Sequence, residues 1–287
     1  MNSSLDVKTL LFVGLAVMLV LYVVTLLRGG FVMPTPLQTA IGFVTAFFDT
    51  LGIGSFATTT AIYKLRDMVP VKLIPGTLNV GHVLSTIAQA FIYMQLVPVE
   101  PVTLALMIAA AVAGAWLGAG VVVRWPRRKI QIGMGVALLG AAALMLMTAL
   151  NVLPVGGDTQ ALAGARLAAG LAGNFVLGAL MMLGIGLYAP CMILVYLLGM
   201  NPAAAFPIMM GSCAFLMPVS SVQFVKTRTY HVQAAIGLAL GGLPAALIAA
   251  LIVKSLPLGA VRWLVVFVVI YTSLNMLLTA RAEPADA

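Results

Sequence analysis

Charged side chains are scarce in this sequence: 8% of residues are charged against 63% hydrophobic, and mean hydropathy is +1.15. A water-soluble domain carries about a quarter of its residues charged, so the bilayer is the solvent for this chain. Cysteine is scarcer still. Cys191 and Cys213 stand inside apolar segments with no CxxC pair and no metal-ligand spacing, and read as buried, inert thiols. No P-loop is present, which argues against intrinsic ATP drive. No basic patch interleaved with aromatics is present either, which argues against a nucleic-acid partner. The formal charge of +8 comes from 15 Lys and Arg that sit almost wholly in short connections between apolar segments, where positive-inside topology signals belong.

What the sequence does have is long apolar runs. The first, Leu10 to Leu27, is followed by Arg28-Gly29-Gly30-Phe31 rather than a small-residue cleavage site, so it is expected to be an uncleaved transmembrane helix. Beyond Pro34 and Pro36 the runs fall into two series. Segment a covers about 37–65, b 73–97, c 102–123 and d 130–150. After a more polar stretch containing Pro154, Gly156, Gly157 and Asp158, segment a′ covers about 171–199, b′ 203–225, c′ 232–253 and d′ 261–279. Segments b, c and d each reach the roughly 20 residues that a spanning helix needs.

The two series are one unit written twice. A shift of 132 positions superposes Phe43 on Phe175, Leu51 on Leu183, Gly52-Ile53-Gly54 on Gly184-Ile185-Gly186, Pro70 on Pro202 and Pro75 on Pro207 without a gap. The expected fold is therefore all-α and polytopic: two internal repeats of about four helical elements, each with a glycine-broken first helix, plus one extra N-terminal helix. The corresponding divisions are 1–36 for the N-terminal helix and its connection, 37–150 and 169–281 for the membrane repeats, 151–168 for the linker and 282–287 for a polar tail, all within one membrane domain. If segment a crosses the bilayer the copies are parallel; if it dips in and returns they are inverted. The a–b connection carries Lys64, Arg66 and Lys72 while its counterpart 199–205 carries none. The b–c connections have the opposite bias, Glu100 against Lys226, Arg228 and His231, which favours inversion. The c–d connections, positive in both copies, speak for the parallel arrangement.

Glycine at a helix break leaves free N–H groups on the next half-helix, and in lipid these must be satisfied or used. Such an N-terminus, with its partial positive charge, suits an anion. Two breaks meeting at mid-membrane would make one site; the alternative is that the glycines serve only close helix packing. The candidate substrate-binding residues are Gly52, Gly54, Ser55, Thr58, Asn79, His82, Gly184, Gly186, Tyr188 and Ser212. Asp49, the carboxylate well inside a membrane segment, is the candidate coupling group or else a brace for the broken backbone. Its counterpart is Met181, and those of Asn79 and His82 are Gly211 and Ala214, so coupling chemistry is expected in the first half. With no second histidine or acid pair beside His82, a metal ligand is not expected, and no cofactor is implied. Ser220, Ser221 and Gln223 give b′ a further uncharged polar lining.

An apolar helix, a glycine break, a second apolar half, a Pro-containing loop and a Gly-Thr or Gly-Ser helix start occur twice, at Gly42 to Pro75 with Gly76-Thr77 and at Phe175 to Pro207 with Gly211-Ser212. This pattern resembles the TauE/SafE sulfite-exporter-like permeases, with the helix before Pro34 standing outside it. The resemblance implies a multi-pass protein of the bacterial inner membrane, not an enzyme, that moves sulfite, a sulfonate or a related organic anion. A proton or sodium ion is the possible coupling partner. Two rival classes are a membrane-embedded enzyme, which would need His and carboxylates at one depth, and a non-transporting scaffold.

Overall fold

The computed structural model describes residues 3–52, 54–122, 124–150, 152, 157–184 and 186–252, with the isolated positions 270, 273, 274, 277, 278 and 281. Ile53, Ile185, most of segment d′ and the polar tail lie outside the described residues. The described chain is helical: α1 (Ser3–Gly29), α2 (Pro36–Thr50), α3 (Ser55–Leu65), α4 (Ile74–Gly81), α5 (Val83–Leu96), α6 (Pro101–Val122), α7 (Arg127–Ala149), α8 (Gly164–Met181), α9 (Tyr188–Leu197), α10 (Ala205–Lys226) and α11 (Val232–Ile252), with single 3₁₀ turns at Val71–Leu73 and Pro202–Ala204. Among the described residues, five helices are long and apolar enough to cross a membrane: Val7–Gly29, Pro101–Val121, Gly164–Met181, Ala205–Lys226 and Val232–Leu251.

Local chemistry sets the boundaries. Thr35 and Gln38 form a reciprocal capping box with Pro36 at the first turn, which starts α2 sharply. At its other end, Gly52 N–H returns to the Asp49 carbonyl, and Gly52 and Gly54 take φ of +85° and +88°. A side chain rarely adopts that backbone conformation, so the helix stops there and α3 begins afresh at Ser55. The end of α8 follows the same pattern: Gly184 N–H returns to the Met181 carbonyl with φ +84°.

Small residues let the helices approach closely, as is usual where lipid removes the hydrophobic drive between them. α2 runs along α11 and α6 along α8. A Cβ on Gly42 would fall 2.6 Å from Leu238 Cα, and one on Gly178 would collide with the Ala111 carbonyl. Both pairs run parallel, since Gln38 meets Gly237 and Ala46 meets Gly242, while Asn174 meets Met107 and Ala179 meets Gly118.

These contacts fix which ends share a face. Gln233 Nε2 donates to the Met33 carbonyl and His231 N–H to Thr77 Oγ1, so α2, α4 and α11 all start at one level, beside the end of α10, where Gly76 abuts Thr229. α3 ends only eight residues before α4 begins, on that same face. On the opposite face, Glu100 N–H donates to the Gln160 carbonyl, Leu162 N–H to Thr103 Oγ1, and Thr159 Oγ1 to the Gly199 carbonyl. That places the start of α6, the start of α8 and the end of α9 together. α2–α3 therefore descends from one face and returns to it, and α8–α9 does the same from the other. α8 is long enough to cross, but its partner α9 carries the chain back. The first of these faces carries Arg28, Lys64, Arg66, Lys72, Arg124, Lys226 and Arg228 in its connections and is called the basic face below.

Candidate functional site

The two helix breaks come together around one small buried cavity. Asp49, Gly54, Ser55 and Phe56 line it from the first break, Met181, Gly186, Leu187 and Tyr188 from the second, and Thr86 and Cys213 close it from α5 and α10. Gly54 and Gly186 are the half-buried part of its lining: a Cβ on Gly54 meets nothing within 4 Å, and one on Gly186 meets only Phe56 at 3.6 Å.

Asp49 ends the last turn of α2 with its carboxylate aimed across the break. Oδ1 accepts the Ser55 N–H at 2.5 Å, the first free donor of α3, and Oδ2 accepts Gln89 Nε2 at 3.0 Å. Gln89 is the hub. Its Nε2 also donates to Thr50 Oγ1 at 2.9 Å, and its Oε1 accepts Tyr188 OH from the first residue of α9 at 2.6 Å. Tyr93 OH secures the Thr50 carbonyl at 2.8 Å. One amide thus joins the acid at the first break to the start of the half-helix after the second. Every partner of Asp49 in this network is a neutral donor, and the carboxylate is buried, conditions in which a lone carboxylate is costly and a functional role is the default reading.

Of the residues singled out in the sequence, Asp49, Gly54, Ser55, Gly186 and Tyr188 line the cavity. The others stand around it. Gly52 and Gly184 make the turns. Thr58 Oγ1 bonds back to the Ser55 carbonyl at 2.9 Å. Asn79 Nδ2 donates to the Pro75 and Met181 carbonyls at 2.9 and 3.3 Å, bracing the end of α8 from the other half of the molecule. Ser212 Oγ accepts Asn174 Nδ2 at 2.9 Å, in the seam with α6. His82 lies at the joint between α4 and α5, with Nε2 3.2 Å from Thr59 Oγ1. Among the described residues no group of three or more His, Cys, Asp or Glu gathers to hold a metal.

Sequence reasoning passed over Gln89, Thr50, Thr86 and Tyr93 as site residues. The signal was present: Asn79, His82, Thr86, Gln89 and Tyr93 recur at three- and four-residue spacing, a polar stripe down one face of an otherwise apolar membrane segment.

Residues 1–145 match the family model for the sulfite exporter TauE/SafE. The chain belongs to the TauE/SafE sulfite exporter family. No curated protein and no solved structure matches it. Membership makes this a multi-pass protein of a membrane transporter family, in agreement with its apolar helices. The match begins at the first residue and so takes in α1, which the sequence pattern alone had set outside the family core. It covers α2 to α6 and most of α7, including the break that holds Asp49.

Proposed function

We propose that this TauE/SafE protein is a secondary transporter, working as an exporter, for a small anion such as sulfite or a short sulfonate. The anion is bound at mid-membrane between the starts of α3 and α9 and released as the two halves rock against each other. The observation that carries the reading is the convergence of both glycine breaks on one cavity. Half-helix N-termini face it from both breaks, each with the partial positive charge that suits an anion, although Asp49 holds the Ser55 N–H of α3 and Pro190 removes one donor from the first turn of α9.

The two halves are read as an inverted repeat. The register of 132 positions relates the backbone bonds of the breaks one to one: Leu51 N–H to the Phe48 carbonyl has its counterpart in Leu183 to Leu180, and Met68 to Tyr63 in Met200 to Val195. It also relates the α2–α11 packing to that of α8 with α6. α2–α3 and α8–α9 open to opposite faces, which supports inversion over the parallel alternative.

Asp49 gives this site a coupling group. Its carboxylate holds the Ser55 N–H that an incoming anion would use, and two anions repel more strongly in a buried site than in water. Protonating Asp49 frees the donor and removes the repulsion, so proton and anion travel together, outward when the anion's own gradient exceeds the opposing proton gradient.

Flux of labelled sulfite and short sulfonates into proteoliposomes tests the reading. Wild-type protein is expected to carry at least one of them. Gly54→Leu and Gly186→Leu, which fill the cavity and at Gly54 also strain a backbone at φ +88°, are expected to abolish flux while the protein still inserts. Wild-type flux in both variants would remove the cavity from the transport route, and silence of intact protein toward every anion would return weight to an enzymatic or scaffold role.

A further inference from the structure

Hydroxyls inside membrane helices ordinarily bond a carbonyl three or four residues back, and Thr45, Thr50, Thr77 and Thr86 do so. Thr59 and Thr60 of α3 do not. Thr59 Oγ1 reaches His82 Nε2 instead, and Thr60 Oγ1 has no protein partner. Tyr63 OH and His82 Nδ1 are also without one, although Thr60, Tyr63 and His82 are all 0% exposed. Polar atoms orphaned in a membrane interior are satisfied by water or mark an ion route.

Tyr63 stands four residues from Thr59 and three from Thr60, so it neighbours both along α3, and Thr59 ties this part of the helix to His82. α3 runs from the cavity at Ser55 back to the basic face. His82 sits one turn before Thr86, between the cavity and that face. The equivalent positions one register on are Cys191, Met192, Val195 and Ala214, so the approach to the cavity from the opposite face lacks this polar lining. Few other groups around His82 titrate: α4 and α11 carry none, α10 carries Cys213 and Lys226, α3 Tyr63 and Lys64, α5 Tyr93 and α2 Asp49.

We infer that Thr59, Thr60, Tyr63 and His82 form a one-sided hydrated path that carries protons between the basic face and Asp49. The inference rests on reading the cavity as a proton-coupled anion site. A proton taken from water by one ring nitrogen of His82 releases the proton on the other through the Thr59 hydroxyl and water toward Asp49, leaving the imidazole neutral again. Because the path opens to one face only, Asp49 exchanges its proton with that side in the conformation described here.

Two measurements test it. Tyr63→Phe removes only an unpartnered hydroxyl, so a merely structural role predicts no change. The path predicts a severalfold slower sulfite uptake driven by a pH gradient, with sulfite exchange at equal pH on both sides retained; unchanged driven uptake would overturn it. Thr60→Cys, or Tyr63→Cys should the first fold poorly, is expected to react with a membrane-impermeant thiol reagent applied from the basic face and not from the other. Wild-type protein, with Cys191 and Cys213 buried, is the control. Reaction from the opposite face, or none from the basic face in a monodisperse variant, would overturn the path. If wild-type protein carries neither sulfite nor a sulfonate, the transport reading fails while thiol accessibility still decides the path.

Discussion

At the scale of single residues the site depends on one uncharged amide. Gln89 satisfies Asp49 on one side and Tyr188 on the other, so its loss leaves two buried polar groups without partners. Gln89→Leu is expected to lower stability by about 1–3 kcal/mol, the usual cost of leaving a buried hydrogen-bonding group unpaired, and to lower flux as well. Thermal unfolding in detergent and proteoliposome uptake measure the two effects. Asp49→Asn makes a separate prediction. In wild-type protein flux should rise as pH falls, because protonation releases the Ser55 N–H for the anion. The amide cannot ionise, so its flux should lose that pH dependence. A pH profile unchanged by the substitution would take the coupling role away from Asp49.

At the scale of helices, what matters is where the chain turns and how closely its segments approach. The breaks at Gly52 and Gly184 end helices that their apolar composition alone would continue, because each glycine adopts a left-handed φ that other residues avoid. Elsewhere glycine has the second role, contact. Gly178 faces the Ala111 carbonyl on α6 so closely that even a methyl group collides, whereas a Cβ on Gly120, in the same helix α6, meets nothing within 4 Å. Gly178→Ala is expected to separate α8 from α6 and reduce the yield of monodisperse protein. Gly120→Ala should be neutral or mildly stabilising, by roughly 0.5–1 kcal/mol from helix propensity. Size-exclusion profiles and melting temperatures of the two variants give the comparison.

For the whole molecule, the inverted reading fixes topology. The basic face holds most of the connecting Lys and Arg, and the opposite face holds Lys8 and Arg166, so on this reading the positive-inside rule predicts that the basic face is cytoplasmic. Thr227 lies on that face, after α10, and Asn201 on the other, where its N–H donates to the Thr159 carbonyl. Introduced cysteines should therefore label from opposite sides: Asn201→Cys from outside intact cells and Thr227→Cys only after the membrane is opened. Labelling of Thr227→Cys from outside would rule out this inverted arrangement.

Much of this was legible in the sequence. Membrane solvent and helical class follow from composition and spacing, and most described segment limits agree within a few residues; the exception is α8, which starts at Gly164 inside the stretch expected to be linker rather than near 171. These properties depend on the residue itself and its near neighbours: an apolar run of sufficient length needs a helix in lipid, and a glycine pair can end one. What only the tertiary structure decided is which distant groups meet. That α2–α3 returns to its own face, that Asn79 braces the second break rather than lining the cavity, that Ser212 turns into the α6 seam and that Gln89 joins Asp49 to Tyr188 all depend on contacts between residues up to a hundred or so apart in sequence. In a chain so uniformly apolar, hydrophobicity barely distinguishes one helix face from another. The register of contact is set instead by glycine-sized gaps and a few buried hydrogen bonds, whose partners no local pattern names.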